Sequence, residues 1–236
     1  MASDTVGPPE SGPKSPVTPR DAASLVLLRD GKDGPEVLMG RRPLAARFMP
    51  GVYVFPGGAV EDPDYAMRTS RALADDVLAR LKRRTEETLA VALGWTAIRE
   101  TWEETGVILG SAGTAEGSDD CPALRAFAAE GVAPDLQALD YLMRAVTPSY
   151  LPIRFNTRFF VADGSNLRGT LAPRDELEDA AWLSVEEALT LNIVNVTEIV
   201  LDAARRYWRE RPAPDPARPI PMFTQHTPGE IVLVDE

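Results

Sequence analysis

The chain has 236 residues, and its 25 Lys plus Arg stand against 36 Asp plus Glu, for a net charge of −11. One cysteine, Cys121, and one histidine, His226, cannot close an intrachain disulfide or supply the nitrogen and sulfur ligands of a structural zinc site, and a histidine-dependent mechanism would rest on His226 alone. The acidity argues against nucleic-acid binding through phosphate contacts and against membrane binding through basic patches, so carboxylates are the expected chemistry and an anionic substrate would need a bridging cation.

At 44% apolar the sequence can bury a core, and its length suits a single domain. Residues 1–20 hold five prolines and two glycines with few bulky apolar groups, which predicts a disordered tail ahead of one domain over 21–236. No apolar run approaches the roughly 18 residues of a spanning helix, and no signal-peptide pattern opens the chain, so the expected compartment is the cytoplasm.

The first predicted elements are a strand over 22–29, a Gly-rich turn over Asp30–Pro35 and a returning strand over 36–42. A third short strand, 52–55, runs into Pro56-Gly57-Gly58, where the two glycines supply freedom for a sharp turn. From about Thr69 to Leu93, Leu73, Val77, Leu78, Leu81, Leu89 and Leu93 recur at roughly helical spacing, which predicts an amphipathic helical pair rich in Arg and Lys. That pair can cover a site or form an interface. A second helix is expected from near Gly94 or Trp95 to Gly106, then a strand at 107–109 and a Gly, Ser and Asp loop over 110–120. Beyond these come a helix over about 122–130, a strand into Val146 and a strong strand over 153–162. The final predicted elements are a strand over 179–183, a helix capped by Ser184 with Glu187 in the capping-box position, and a helix over about 197–209. Strands and helices mix without regular βαβ alternation, which predicts an α+β sandwich.

The stretch Arg99-Glu100-Thr-Trp-Glu103-Glu104-Thr-Gly106-Val107 carries the most information. On a helix, Glu100, Glu103 and Glu104 share an arc of about 100°, while Trp95, Ile98 and Trp102 project from the opposite, core side. Like charges at this spacing repel by a few tenths of a kcal/mol per pair, and Glu in a last turn opposes the helix dipole by about 0.3–1 kcal/mol. A carboxylate ridge of this kind suits a hard divalent cation such as Mg²⁺, and it also suits a plain solvated face screened by Arg99.

Phe55-Pro56-Gly57-Gly58, Asp64 and Arg99-Glu100-x-x-Glu103-Glu104-x-Gly106-Val107 together resemble the signature of the Nudix hydrolase superfamily, G-x5-E-x7-R-E-U-x-E-E-x-G-U with U aliphatic. Asp64 stands where the pattern has its first Glu, Thr101 stands at a usually aliphatic position, and 34 residues separate Asp64 from Arg99 where the family has seven. A box split by a helical insertion, here about 65–93, is similar to the branch that includes peroxisomal-type coenzyme A diphosphatases. Two further stretches resemble that branch, residues 47–58 and Arg154-Phe-Asn-Thr-Arg-Phe-Phe160. The motif of coenzyme A-cleaving members is matched by Leu38, Arg42, Arg47, Gly51 and Phe55 to Gly58, whereas Met49 and Val52 replace its His and Gln.

The resemblance implies an α/β/α sandwich with a mixed central sheet and a small-molecule nucleotide diphosphate as substrate, with no nucleic acid or membrane partner. It implies hydrolysis of a nucleoside diphosphate linked to another moiety, X, by a Mg²⁺- or Mn²⁺-dependent enzyme. Coenzyme A or acyl-coenzyme A is the first candidate; ADP-ribose, NADH or a nucleotide sugar is the alternative, and a non-catalytic nucleotide-binding regulator is the competing class. By the same resemblance Glu100, Glu103 and Glu104 are metal ligands, Glu103, Glu104 and Arg99 the catalytic group, and Arg42, Arg47, Gly57 and Gly58 substrate contacts. Arg158 is a further candidate for phosphate. Glu176 or Glu178, ahead of Trp182, is either a general base or solvated loop charge, and a homodimer fits the family habit.

Overall fold

The computed structural model describes residues 17–46, 49–118, 120–172, 174, 176–225 and 231–236. Its strands are β1 (Arg20–Gly31), β2 (Gly34–Arg41), β3 (Tyr53–Val54) and β4 (Gly57–Ala59), followed by helices α1 (Asp75–Leu81), α2 (Glu87–Thr105) and α3 (Pro122–Ala129). After these come β5 (Asp140–Val146), β6 (Phe155–Asp163), β7 (Glu178–Ser184), α4 (Val185–Ala188), α5 (Asn195–Glu210), β8 (Pro221–Gln225) and β9 (Ile231–Asp235).

These nine strands form one mixed sheet in the order β7-β2-β1-β6-β5-β8-β9, with β3 added to β2 and β4 to β1. The β1–β6 and β5–β8 pairs are parallel and the others antiparallel. β1 is buried from Ala22 to Leu28, and apolar there except for Ser24, because it is covered on both sides. Alternation sends Leu25 and Leu27 into the core under α2 and Val26 and Leu28 into the core under α5. This is the sandwich with a mixed sheet that the sequence implies.

Two readings of the sequence need correction. Gly94 does not start a helix: α2 begins at Glu87, so the carboxylate helix and the second half of the expected helical pair are one element of 19 residues. A Cβ at Gly94 would lie 3.3 Å from Leu73 Cδ2, so the glycine lets the inserted segment pack closely on the helix. The Pro56-Gly57-Gly58 segment is likewise more than a turn, because Gly57–Ala59 pairs with Ala22–Ser24 as a strand. Glycine is needed there for closeness, since a Cβ on Gly57 would sit 2.5 Å from the Ala23 carbonyl oxygen.

Strands β8 and β9 correspond to no element expected from the sequence, and β1 begins at Arg20, the last residue of the expected tail. Residues 1–16, Arg47 and His226 lie outside the described residues. The capping box at Ser184 and Glu187 forms as the sequence requires, with the Ser184 hydroxyl accepting from the Glu187 N–H and the Glu187 carboxylate accepting from the Ser184 N–H. No helix among the described residues is long and apolar enough to cross a membrane.

Candidate active site

The last two turns of α2 carry Arg99, Glu100, Glu103 and Glu104, and Gly106 ends the helix in the left-handed conformation at φ 79°. The opposite side is anchored as expected: Trp95 is buried and meets Phe127 edge-on at 6.0 Å, and Ile98 is buried beside it. Trp102 is only partly buried against the same core. Thr101, in the usually aliphatic position, is also buried, and its hydroxyl donates to the Ala97 carbonyl at 2.7 Å, so no polar group is stranded.

Arg99 organises this face. Its Nε and Nη2 donate to the two oxygens of Asp64 at 2.8 and 2.9 Å, and its Nη1 donates to Glu100 and Glu103, each at 2.9 Å. Asp64 is 2% exposed, and the Glu61 N–H and the Thr96 hydroxyl also lie 2.9 Å from it. The split box is therefore closed in space: the inserted chain loops out after Asp64 and returns on α2, placing this carboxylate against Arg99. Burial alone would weaken the Arg99 charge, but its hydrogen bonds to Asp64 and the nearby charges of Glu100 and Glu103 raise its pKa above the ordinary value, so it stays charged.

Glu104 is 3% exposed and accepts the Gly57 N–H on Oε2 at 2.9 Å. Gly58 lies so close to Glu100 that a Cβ would overlap its carboxylate. Oxygens of Glu100, Glu104 and Glu176 lie within 4.8 Å of one another. Glu103 is outside this triad, salt-bridged to Arg99 and about one-third exposed. Of the two loop candidates, Glu176 joins the cluster while Glu178 pairs with Arg41 at 2.8 Å. The exposed Glu176 is positioned by its neighbour Leu177, which is fully buried against Gly40 of β2.

Proximity and burial raise the carboxyl pKa values. Burial pushes Glu100 up to about 7 against the opposing charge of Arg99, with Glu103 and Glu176 adding to the rise. Burial raises Glu104 well above the ordinary carboxylate range despite the Gly57 N–H, and Glu100 and Glu176 push it further. Glu103 is raised for the same first reason, with Arg99 opposing. Three clustered oxygen donors with no nitrogen or sulfur among them suit a hard divalent cation, whose charge would reverse these shifts.

The triad stands at one end of a cavity of about 770 Å³. Arg42, Gly57 and Gly58 line it beside Glu100, Glu104 and Glu176, and Arg42 is near enough to offset part of the Glu104 shift. Arg158 does not line it; it is buried and paired with Asp21. The inserted arginines are committed elsewhere: Arg80 is buried and bonded to Asp76, Asp140 and the Tyr141 carbonyl, and Arg71 is bonded to Asp135. No residue of 65–93 lines the cavity, so in this structure the insertion is not its lid.

A family model for the Nudix domain matches residues 18–203, most of the chain. The chain belongs to the Nudix domain family. A crystal structure of a Nudix hydrolase from Alicyclobacillus acidocaldarius shares 34% identity at a TM-score of 0.61, covering 80% of this chain and 92% of that one. Nudix hydrolase 7 of Caenorhabditis elegans is 26% identical over 184 residues, which are 72% of this chain and 53% of that protein. This chain thus matches about half the length of that relative. The MutT protein of Bacillus halodurans, 12% identical with a TM-score of 0.50 over 92% of this chain and 97% of that one, shares the fold.

Proposed function

We propose that this Nudix protein hydrolyses the diphosphate of a nucleoside diphosphate linked to a second moiety, X, with coenzyme A or an acyl-coenzyme A as the first substrate class. The observation that carries the reading is the meeting of Glu100, Glu104 and Glu176 within 4.8 Å at the end of a cavity large enough for a nucleotide conjugate. Glu100, Glu104 and Glu176 would hold Mg²⁺ or Mn²⁺, and Glu103, held by Arg99, is the additional carboxylate that the family resemblance assigns to the ion. When bound, the ion supplies Lewis acidity that offsets charge growing on the phosphates.

The chain's own groups do the rest. Arg42 faces the same cavity end and binds the substrate phosphates there. Water attacks one phosphorus of the anhydride, the bridging P–O bond breaks, and two phosphate monoesters leave. Glu104, which lines the cavity, takes the proton of the attacking water, and the Gly57 N–H holds one of its oxygens. Arg99 fixes Glu100 and Glu103 in one rotamer each, with Asp64 locking the guanidinium in turn.

The test is incubation with Mg²⁺ or Mn²⁺ and a panel of coenzyme A, an acyl-coenzyme A, ADP-ribose, NADH and a nucleotide sugar, with products read by chromatography. The expected result is ion-dependent conversion of coenzyme A, or its acyl ester, to 3′,5′-ADP and the phosphopantetheine half. Cleavage confined to ADP-ribose, NADH or the sugar would move the substrate class, and cleavage of no member would remove the hydrolase reading.

A further inference from the structure

Strand β8 lies outside the segment matched by the family model, which ends at residue 203, yet it forms part of the cavity wall. Phe223 and Gln225, two residues apart and so on one face of the strand, both line the cavity. Phe223 is 6% exposed and stands in parallel register with Ala145 of β5, also in the wall. Phe55 and Phe159, edge-on to each other at 6.2 Å, continue the same apolar surface, and Val196 at the start of α5 faces it.

The strand is tied in at both ends. The Ile220 and Glu236 backbones exchange hydrogen bonds, and Arg144 Nη1 reaches both oxygens of the Glu236 carboxylate at 2.7 and 2.9 Å. The Tyr150 hydroxyl bonds Gln225 Oε1 at 3.2 Å, tying the loop after β5 to the rim of β8. Among the described residues of the lining, the acidic ones are Glu61 and the triad and the basic ones Arg42 and the exposed Arg20, whereas Phe55, Phe159, Phe223 and Val196 are apolar. A charged X placed on that wall would lose its hydration without a partner, whereas an apolar X gains by burial.

We infer that β8 is the specificity wall for X, and that Phe223 with Phe55 and Phe159 selects an uncharged X that carries an apolar chain or ring, as an acyl-coenzyme A does and free coenzyme A does not. The inference rests on the proposed diphosphatase reading for its substrate and deepens it. Two sources share this chemistry, an alkyl or acyl chain and an aromatic ring, and the test separates them.

Three ADP conjugates, carrying an alkyl chain, an aromatic ring or an unmodified sugar as X, are compared on wild type, Phe223→Ala and Gln225→Ala, with melting temperatures confirming the fold. Wild type is expected to favour one apolar conjugate over the sugar by about tenfold or more in kcat/KM. Phe223→Ala should erase that preference mainly through KM, leaving the sugar conjugate within about threefold. Gln225→Ala should keep the apolar preference. Calorimetric binding of the same conjugates to the ion-free protein gives a readout that does not need turnover. Preferential binding lost in Phe223→Ala without any cleavage would uphold the wall and remove the hydrolase reading. Cleavage with equal losses on all three conjugates, or wild-type preference for the sugar, would overturn the wall and leave the hydrolase reading standing.

Discussion

Arg99 and Asp64 show how much one buried pair decides at this site. Sequence spacing had put Asp64 at the right distance after Gly58 and then lost it behind the insertion, so its role was not legible. The structure supplies the reason for keeping an acid there: a nearly buried guanidinium needs a bidentate partner, and Asp64 is that partner. Replacing Asp64 with Ala should cost about 3–5 kcal/mol of stability in a denaturant titration, because the buried Arg99 loses its bidentate partner and keeps only single bonds to Glu100 and Glu103. Asp64→Asn keeps the shape and should cost less while loosening Arg99. Glu104→Gln is a different kind of change: the amide fills the same space and still accepts the Gly57 N–H, so the melting temperature should barely move. Its kcat should fall by about 10²–10⁴ if Glu104 takes the proton of the attacking water. Wild-type turnover in that variant would exclude the role. The place of Glu176 had only a weak signal, an acidic run ahead of a tryptophan, and its neighbour Glu178 looked equally suitable until the structure paired the latter with Arg41.

At the scale of elements, β4 and α2 depend on each other. The two glycines of β4 were readable as special, yet a turn and a close approach ask for the same residue, and only the fold separates them. Their failures should differ. A methyl on Gly57 meets the Ala23 backbone, which cannot move aside, so Gly57→Ala should destabilise by about 1–3 kcal/mol in chemical denaturation. A methyl on Gly58 meets the movable end of the Glu100 side chain, so Gly58→Ala should keep most of its stability and lose divalent-cation affinity instead, read by calorimetry. Equal melting temperatures for the two variants would contradict this distinction. The carboxylate half of α2 was legible because three acids at i, i+3 and i+4 are poor for an isolated helix and call for a cause. The start of α2 was not, because Gly94 resembles a boundary in sequence while serving as a packing notch for Leu73. Strand β8 is hard to read because it has five residues and begins among prolines, whereas β9, Ile-Val-Leu-Val-Asp, carries a strand pattern of its own but no sequence signal for its partner.

Across the whole molecule, the insertion and the C-terminal segment are stapled together, and the insertion packs in the same core as α2. Arg83 donates to the carbonyls of Pro216, Arg218 and Glu236, while Arg80 and Arg218 converge on Asp140. Burial would raise the Asp140 carboxyl, but the bonds from Arg218 and Arg80 overcome it and hold the group below its ordinary 3.8. The folded state therefore prefers the carboxylate. Its contribution is complete above about pH 4 and is lost as pH falls below 3.8 toward the lower folded value. Asp140→Asn should lower stability at neutral pH by about 1–3 kcal/mol and flatten the acid slope of unfolding free energy below pH 4. An unchanged slope would show that other carboxylates set it. The acidity counted in the composition thus divides among structural pairs such as this one, a solvated surface, and the three carboxylates at the cavity end.

Those three carboxylates are the claim on which the function rests, and Mn²⁺ binding tests them directly. The dissociation constant is measured by calorimetry for wild type, Glu103→Gln and Glu176→Gln at one pH. If Glu100, Glu104 and Glu176 hold the ion, Glu176→Gln weakens binding by about tenfold or more and Glu103→Gln weakens it less. Unchanged affinity in Glu176→Gln, with the loss falling on Glu103→Gln, would contradict the triad and return the ion to the ridge of α2.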